Sequence, residues 1–430
     1  MDKDTLKTKE WLDKRFAEGV KDGEYFAHQP IYGYKKGRTE GRDLIRYMRN
    51  LSILVKLSHY NFDSFIDIGG AEGYMPNLVK TAFKADSYTC DLSFEANVRA
   101  RELFGIDSVG MDLSNLPFKD KAFDAVLCSE VLEHVTNPIQ AICELKRITK
   151  KVLVITTEAV CYDKLERSLR MMLVDLNEHH CDRNWFLPDD FVFTLGNDII
   201  YENTIYDPRA ADKKASPDEA RKILSSYAER GTFDRDGIGI TVLSSGIQKT
   251  ERPRISVQDL ADIILNTTVS TDYKNNAASR LPLSTKLIES LQCPKCAGNV
   301  SMANDTLTCS ACGSKYAVRN NVPLMYTDDK DADYLSRKWA MRLSGEFAST
   351  YKALLNLIKL FEHSTSSPNI FTKIAARRIM KIEKFAHNCA KVIRQRSFLG
   401  LLSYFLMTSK KKVSREIDRI IGRFKKIKSD

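Results

Sequence analysis

The chain has 430 residues, 43% of them hydrophobic and 28% charged, which is the composition of a globular protein with room for two or three domains. No apolar run reaches the roughly 18 residues that span a bilayer, and residues 1–10 are too polar for a signal peptide, so we expect neither a secreted nor a membrane-spanning protein. Four of the ten cysteines are clustered and the others are scattered, which favours a reducing, cytoplasmic compartment and one metal site over a disulfide framework.

The net charge of +10 is unevenly distributed along the chain. Residues 371–430 hold 17 Lys and Arg side chains against 4 Asp and Glu, so this end alone carries +13 and the remainder is slightly acidic. An anionic partner is therefore expected at the C-terminal end.

Residues 1–60 are predicted to be mostly helical. They include an aromatic stretch at 25–34, Tyr-Phe-Ala-His-Gln-Pro-Ile-Tyr-Gly-Tyr. Two interpretations of this stretch stay open: a lid that closes over a cofactor and an acceptor, or a core-packing segment that seals the edge of a sheet.

Short apolar runs alternate with amphipathic segments from residue 62 to residue 157. These runs are 64–68, 87–90, 125–128 and 152–156. Strands separated by helix-length segments predict a doubly wound, largely parallel α/β sheet. Further β-rich runs, interrupted by a polar insertion, predict that the sheet ends in antiparallel strands. They are 191–195, 199–204 and 238–244, and the insertion is 208–232.

The first of these strands leads into Asp67-Ile68-Gly69-Gly70-Ala71-Glu72-Gly73. An acid followed by spaced glycines lets the backbone turn tightly and receive a nucleotide-like cofactor at the end of a parallel strand. Asp91 follows the second strand, where a carboxylate can accept both hydroxyls of a ribose, and Asp112 follows the third, where an acid can receive an adenine amino group. The sequence contains no lysine-bearing phosphate loop.

In this order the motifs resemble those of class I S-adenosylmethionine (SAM)-dependent methyltransferases, in particular the large family related to quinone-biosynthesis methyltransferases. The resemblance covers residues 45–250 and includes Asp-Leu-x-x-Leu-Pro-Phe from Asp112, Phe-Asp-Ala-Val from Phe123 and Glu-Val-Leu-Glu-His-Val from Glu130. It implies an α/β fold with a Rossmann-like, seven-stranded methyltransferase sheet, and SAM as the cofactor. The cofactor contacts that it implies are Asp67, Gly69, Gly73, Asp91, Asp112, Leu113 and Glu130. Ala71 departs from the glycine that is usual in this loop.

Glu130, Glu133 and His134 follow the fourth strand. If they open a helix, all three project from one face. The arrangement resembles metal-dependent O-methyltransferases acting on catechols or terminal ribose hydroxyls, where Mg²⁺ or another divalent cation activates one oxygen and a later histidine, here His179 or His180, completes the site. The alternatives are that His134 only lines the pocket, or that the acids interact with a helix dipole. Glu133, His134 and His179 are the predicted catalytic residues.

The cysteine cluster has the spacing C-x2-C-x12-C-x2-C, over Cys293, Cys296, Cys309 and Cys312. Two such pairs can place four thiolates tetrahedrally around zinc, and in a small segment the metal supplies much of the folding free energy. Residues 291–324 resemble the zinc-ribbon domain of the tRNA-methyltransferase activator family, where this domain is often a separate subunit that stabilises a methyltransferase. With every thiolate on the metal, the predicted role is structural.

The C-terminal end combines apolar residues at helical spacing, through 371–392 and 413–427, with Lys and Arg on the other faces. The apolar run 397–407 is too short to cross a bilayer but can lie in its interface. Three interpretations stay open. They are a helical appendage that packs on the protein or on a second copy, association with an anionic surface at the inner face of the membrane, and RNA binding, which the scarcity of interleaved aromatic residues weakens.

These patterns predict five regions: a helical N-terminal segment with a lid (1–60), the methyltransferase domain (61–250), a linker (251–285), the zinc ribbon (286–327) and a basic helical region (328–430). The expected acceptor is a sugar hydroxyl on a surface glycan or a related saccharide, because the chain resembles bacterial methyltransferases of similar architecture and carries the basic tail. The alternatives are methylation of tRNA or rRNA, and a non-catalytic scaffold that only binds SAM. The oligomeric state stays open.

Overall fold

The computed structural model of the chain describes residues 1, 3–17, 20–21, 24–25, 41–161, 163–172, 182–196, 199–203, 215–226, 238–243, 246–267, 281–327, 340–346 and 348. They belong to two compact units. One comprises Met1–Val160 and Pro188–Ser336, and the other Cys161–Leu187 and Arg337–Asp430. The basic region 371–430, most of the aromatic stretch 25–34, and both His179 and His180 lie outside the described residues.

The described helices are α1 (Lys3–Ala17), α2 (Gly41–Leu57), α3 (Tyr74–Phe83), α4 (Phe94–Phe104), α5 (Pro138–Ile148), α6 (Lys164–Met172), α7 (Pro188–Leu195), α8 (Pro217–Ser225), α9 (Val257–Asn266) and α10 (Thr285–Ser290). The strands are β1 (Val20–Lys21), β2 (Glu24–Tyr25), β3 (Ser64–Ile68), β4 (Asp86–Asp91), β5 (Asp107–Gly110), β6 (Phe123–Ser129), β7 (Thr149–Thr157), β8 (Ile199–Asn203), β9 (Ile238–Leu243), β10 (Val300–Ala303), β11 (Thr306–Cys309), β12 (Lys315–Arg319) and β13 (Val322–Pro323). Among these helices, none has the length and apolar character that crossing a membrane requires.

A seven-stranded sheet organises the first unit, in the order β5-β4-β3-β6-β7-β9-β8. β3 pairs in parallel with β4 and with β6, whereas β9 runs antiparallel to both β7 and β8. In chain order, β4 and β5 are added on one side of β3, and β6 and β7 on the other side. The direction of winding therefore reverses between β3 and β6. In a doubly wound sheet, such a switch point opens a crevice at the carboxyl ends of the strands, where ligands bind. The expected Rossmann-like architecture is confirmed.

One face of this sheet is covered by α2, α3, α8 and α9, which share a hydrophobic core with the central strands. Side chains alternate across a strand, so every second residue reaches this face. The strand residues in this core are Phe65 of β3, Ala125 and Leu127 of β6, and Val152 and Val154 of β7. The central strands are buried on both sides, which explains why their sequences read as continuous apolar runs.

Two sequence predictions for this unit are wrong. The expected linker at 251–285 contains α9, because Leu260 and Ile264 lie one helical turn apart and are buried in the core. Ser256 caps the amino end of α9 by accepting the Asp259 N–H at 3.1 Å. The run 191–195, expected as strand, lies in α7, whose first residue is Pro188 and whose first turn is acidic, both of which favour a helix start.

The four-cysteine segment belongs to the same unit and adds a small antiparallel sheet, in the order β10-β11-β12-β13. It meets the large sheet along β5 and the loop that follows it. The Met325 N–H donates to the Gly110 carbonyl at 2.8 Å. The Gln292 N–H donates to the carbonyl of Pro117, and the Lys119 N–H to that of Ser290, both at 2.9 Å. These backbone contacts cover an edge strand that would otherwise expose unpaired groups.

The second unit joins the segment that follows β7 to residues near 340. Within it, the Arg167 guanidinium donates to both carboxylate oxygens of Glu346, at 2.6 and 3.0 Å, and both side chains are buried. The Arg170 guanidinium lies 4.4 Å from the centre of the Trp185 ring. No sequence motif indicated this association between two segments so distant in the chain.

Candidate functional site

The loop after β3 turns as tightly as the glycine pattern predicts. Gly69 has a φ of 78° and donates its N–H to the Cys90 carbonyl at 2.8 Å. A Cβ atom on Gly69 would lie 2.4 Å from a methyl carbon of Val131, so a side chain fits neither the conformation nor the space. Gly73, with a φ of 76°, precedes the first residue of α3. The amino end of α3 therefore faces the crevice, as expected for a cofactor loop.

Ala71 is the departure from the glycine pattern, and its surroundings explain it. The residue has a φ of 48°, in the left-handed region that favours glycine. Its methyl group is buried in a cluster with Leu12 and Phe16 of α1 and Ala96 of α4. Helix α1 is thus part of the wall beside the cofactor loop. Nothing in the local sequence of α1 indicated this, since its residues are more than fifty positions away.

Two predicted acids, Asp67 and Asp91, lie together under this loop and are both buried. Burial, with the nearby charge of Asp91, raises the pKa of Asp67 to about 8. Burial, with the nearby charge of Asp13, raises the pKa of Asp91 to about 6, against the opposing effect of backbone hydrogen bonds from Ser93, Ala71 and Leu92. The N–H of Ser93 donates at 2.8 Å and that of Ala71 at 3.1 Å. The carboxylate of Asp91 is held in one orientation at the end of β4.

Asp112 and Leu113 follow β5 at the same edge of the sheet. One Asp112 oxygen accepts hydrogen bonds from the Ser114 N–H at 3.0 Å and the Ser114 hydroxyl at 2.7 Å. Leu113 is buried. The acids at or directly after the ends of the first three parallel strands therefore lie at the carboxyl edge of the sheet, and their roles as cofactor contacts stay predictions. Together with the tight loop, they form a site that fits the nucleoside and methionine parts of SAM.

Glu130 lies at the end of β6, but it does not open a helix. It has a φ of 56°, residues 132–134 form a turn, and α5 begins only at Pro138 behind the Asn137 cap. The expectation that Glu130, Glu133 and His134 share the first turn of a helix is therefore wrong. The Pro138 ring favours the first helical position and fixes the start of the helix there.

The Glu130 carboxylate is instead held by the end of β7 and by α2. It accepts hydrogen bonds from the Thr156 hydroxyl and the Glu158 N–H, both at 2.9 Å. Arg49 lies with its Nε atom 3.6 Å from Glu130, and its terminal nitrogen lies 3.0 Å from the exposed carboxylate of Glu158. Burial opposes the charge of Arg49, but Glu130 and Glu158 raise its pKa overall. Sequence analysis missed Arg49, which precedes the motifs.

Glu133 is buried, and its carboxylate accepts the Thr157 hydroxyl at 3.1 Å. His134 is partly exposed in the same turn. In the described part of the chain, these residues and Glu130 do not form a group close enough to share one ion. The proposed divalent site would need His180, and the proposed catalytic His179 lies in the same undescribed segment, so both assignments stay predictions.

Cys293, Cys296, Cys309 and Cys312 do form such a group. Their Sγ atoms all lie within 4.8 Å of one another, and it is the one set of three or more Cys, His, Asp or Glu side chains found among the described residues. The Tyr316 hydroxyl lies 3.1 Å from Cys293 Sγ. A Cβ atom on Gly298 would lie 3.0 Å from the Cys309 sulfur, so only glycine leaves room beside the thiols. Four converging thiols suit a tetrahedral zinc ion.

Comparison with known proteins finds one matching domain family and several similar proteins. Residues 66–154 match the methyltransferase domain family. An uncharacterised protein of Methanocaldococcus jannaschii is 28% identical over 182 residues, which are 39% of this chain and 77% of that protein. The malonyl-(acyl-carrier protein) O-methyltransferase of Neorickettsia risticii is 31% identical over 98 residues, 22% of this chain and 38% of that enzyme, so the chain spans well under half of it. A SAM-dependent methyltransferase of known structure from Thermotoga maritima is 15% identical, with a TM-score of 0.34, over 46% of this chain and 90% of that one.

Proposed function

We propose that this chain, a SAM-dependent methyltransferase, methylates a hydroxyl group of a sugar, on a surface glycan or a related saccharide. The observation that supports this acceptor is the polar network at the carboxyl ends of β6 and β7. Arg49, Glu130 and Glu158 are joined there by hydrogen bonds and ion pairs, and Glu158 is exposed. Carboxylates accept hydrogen bonds from hydroxyl groups and a guanidinium donates to hydroxyl oxygens, and a polyhydroxylated acceptor offers many such groups.

For methyl transfer, the main task of the protein is to align the acceptor with the methyl group of SAM. When bound, SAM supplies a methyl group that is already activated. Asp67, Asp91, Asp112 and the glycine loop would hold it. The protein must then orient an acceptor oxygen and take its proton. Glu133 and His134, in the turn after β6, are the described candidates for the proton acceptor.

Transfer of a labelled methyl group from SAM tests the proposal. The purified full-length chain is offered free sugars, nucleotide sugars and a lipid-linked oligosaccharide, with total tRNA and rRNA alongside. Labelling of a saccharide that survives mild base, as a methyl ether does and a methyl ester does not, supports it. Labelling confined to RNA, or none with any saccharide, contradicts it. Unchanged activity after chelation and after added Mg²⁺ would rule out metal assistance, which stays a prediction.

RNA methylation is the alternative, favoured by the ribbon's resemblance and by the charge of residues 371–430. It predicts that label enters one nucleotide of tRNA or rRNA and that transfer weakens steeply with salt. A scaffold that only binds SAM is the third hypothesis, and it predicts cofactor binding in calorimetry without turnover.

We also propose that Cys293, Cys296, Cys309 and Cys312 hold one structural zinc ion. Elemental analysis of the purified protein should find about one zinc per chain, and a protein without zinc would contradict the assignment.

Association of residues 371–430 with an anionic membrane surface is a separate proposal. Flotation of the full-length chain with anionic but not with neutral vesicles supports it, and absence from both vesicle fractions contradicts it.

A further inference from the structure

Helix α1 reaches the ribose side of the cofactor site through a single acid, Asp13. One of its carboxylate oxygens accepts the Ser93 hydroxyl at 2.7 Å. The same oxygen lies 3.4 Å from the backbone nitrogen of Glu95, which donates to it. Asp13 therefore lies against the first turn of α4, directly after the end of β4.

Ser93 connects Asp13 to the acid that is expected to bind the ribose. The Ser93 N–H donates to one oxygen of Asp91 at 2.8 Å. Its hydroxyl oxygen accepts the Ala96 N–H at 3.2 Å and so caps α4. A hydroxyl has one proton to donate, and here Asp13 accepts it, which leaves the oxygen lone pairs free to cap the helix. Asp13 thus anchors Ser93 against α1, and with it the backbone N–H that donates to Asp91.

The other contacts of α1 hold Asp13 in this place. The Lys9 ammonium donates to the second Asp13 oxygen at 2.5 Å, one helical turn away. The same ammonium lies 5.3 Å from the centre of the Tyr326 ring, and the Tyr326 hydroxyl donates to the Leu92 carbonyl at 2.9 Å. The segment that follows Asp91 is therefore held from two sides, by Asp13 of α1 and by Tyr326.

We propose that Asp13 is a positioning residue for the cofactor: through Ser93 it holds the Asp91 carboxylate in the orientation that receives the ribose hydroxyls. This inference rests on the assignment of Asp91 as the ribose ligand. It assigns to α1 a role in cofactor affinity that is independent of the acceptor. In this proposal Asp13 acts on the cofactor only through Ser93 and Asp91, and does not contact it directly.

The test compares two ligands, S-adenosylhomocysteine and its 2′-deoxy analogue, by calorimetry on the full-length chain. The quantity measured is ribose discrimination, the ratio of the Kd of the deoxy analogue to the Kd of the parent ligand. A hydrogen bond to a charged group predicts a ratio of about 10 or more in the unmodified protein. Asp91→Asn should bring this ratio to about 1, because the charged acceptor is lost.

Asp13→Ala is expected to reduce the ratio about fivefold through weaker binding of the parent ligand, with little change for the deoxy analogue. Asp13→Asn, which keeps the volume, provides a second variant should the alanine variant not fold. Glu10→Gln is the matched control, because it removes an acid from an exposed position of the same helix. In a Ser93→Ala background, Asp13→Ala should change the ratio less than in the unmodified protein, because only the contact with the Glu95 N–H is then left to lose.

Three outcomes would overturn the inference. Equal loss of affinity for both ligands would mean that Asp13 only stabilises the fold. An unchanged ratio in both Asp13 variants would mean that Ser93 and Asp91 are held without it. A ratio that Asp91→Asn leaves unchanged would remove the premise, and this result identifies a failure of the cofactor assignment itself.

Discussion

The Met325 N–H donates to the carbonyl of Gly110 at 2.8 Å, and this bond attaches the four-cysteine segment to β5, the edge strand of the seven-stranded sheet. Next to this bond, Gly110 and Leu324 form a single parallel β-bridge. Gly110 has no side chain, and a Cβ atom there would lie 2.6 Å from the Tyr326 hydroxyl oxygen. The four-cysteine segment and the seven-stranded sheet therefore share backbone hydrogen bonds and close packing, and we expect them to lose stability together.

Removal of the proposed zinc is the first prediction. A strong chelator should lower the melting temperature by about 5 °C or more and weaken SAM binding, because the ribbon that covers β5 loses its main source of folding free energy. Cys309→Ser should act in the same direction without a chelator. Cys143→Ser, at an exposed cysteine of α5, is the control and should leave both quantities unchanged. Thermal denaturation with calorimetry of SAM binding measures both. A chelated protein that keeps its melting temperature would contradict the prediction.

The second prediction concerns Gly69. Gly69→Ala places a side chain in the left-handed region and against Val131, so it should lower the free energy of unfolding by about 3 kcal/mol and abolish SAM binding. Gly246→Ala is matched in backbone conformation, since Gly246 has a φ of 83° and nothing within 4 Å of an added Cβ atom. It should cost only about 1 kcal/mol. Urea denaturation of both variants tests this, and equal losses would count against the close approach of Val131.

The third prediction is a pH dependence that Asp67 introduces. Its pKa rises from 3.8 to about 8 in the folded protein, because it is buried and lies near Asp91. Between these pKa values the folded state holds the proton more tightly than the unfolded chain, so this group's contribution to stability is complete at low pH and is lost as the pH rises through about 8. Asp67→Asn should remove this decrease in the free energy of unfolding, measured by urea denaturation from pH 4 to pH 9 without cofactor.

Asp124 provides the opposite case for the same experiment. Burial opposes its charge, but hydrogen bonds from the Asp63 N–H and from Lys151 and Lys150 lower its pKa overall. Its contribution is therefore present above the unfolded pKa and lost as the pH falls. Asp124→Asn should flatten the acid side of the curve and leave the slope above pH 5 intact. The same change of slope in both variants would show that neither acid is responsible.

Arg49 is the subject of the fourth prediction. Arg49→Met keeps most of the side-chain volume but releases the carboxylates of Glu130 and Glu158 at the ends of β6 and β7. If this network binds the acceptor, kcat/KM for the acceptor should fall about tenfold or more, with less than about a threefold change in the Kd of SAM. Lys151→Met, which releases Asp124 at the opposite end of β7, is the control. A variant that loses SAM affinity instead would place Arg49 and Glu130 on the cofactor side, the role that the family resemblance implies for Glu130.

Much of the fold follows from local patterns. The strands were predictable because β3, β6 and β7 contain apolar runs with polar borders, and the acids at the strand ends follow the turn chemistry of a doubly wound sheet. The errors are also local. Glu130 looked like the first residue of a helix, but only the Pro138 ring and the Asn137 cap set where the helix begins. Helix α9 looked like a linker because it is short and flanked by polar residues.

The sequence by itself determined the methyl donor and the cysteine cluster, because both depend on residues within one turn, one strand end or one small knuckle. The tertiary structure decided what surrounds them. It brought Asp13 to Ser93, Arg49 to Glu130, and Met325 to Gly110, pairs separated by tens to hundreds of residues. Such contacts depend on how the buried faces of helices and strands pack against one another. The spacing of residues along the chain predicts only local structure, and not which distant segments pack together.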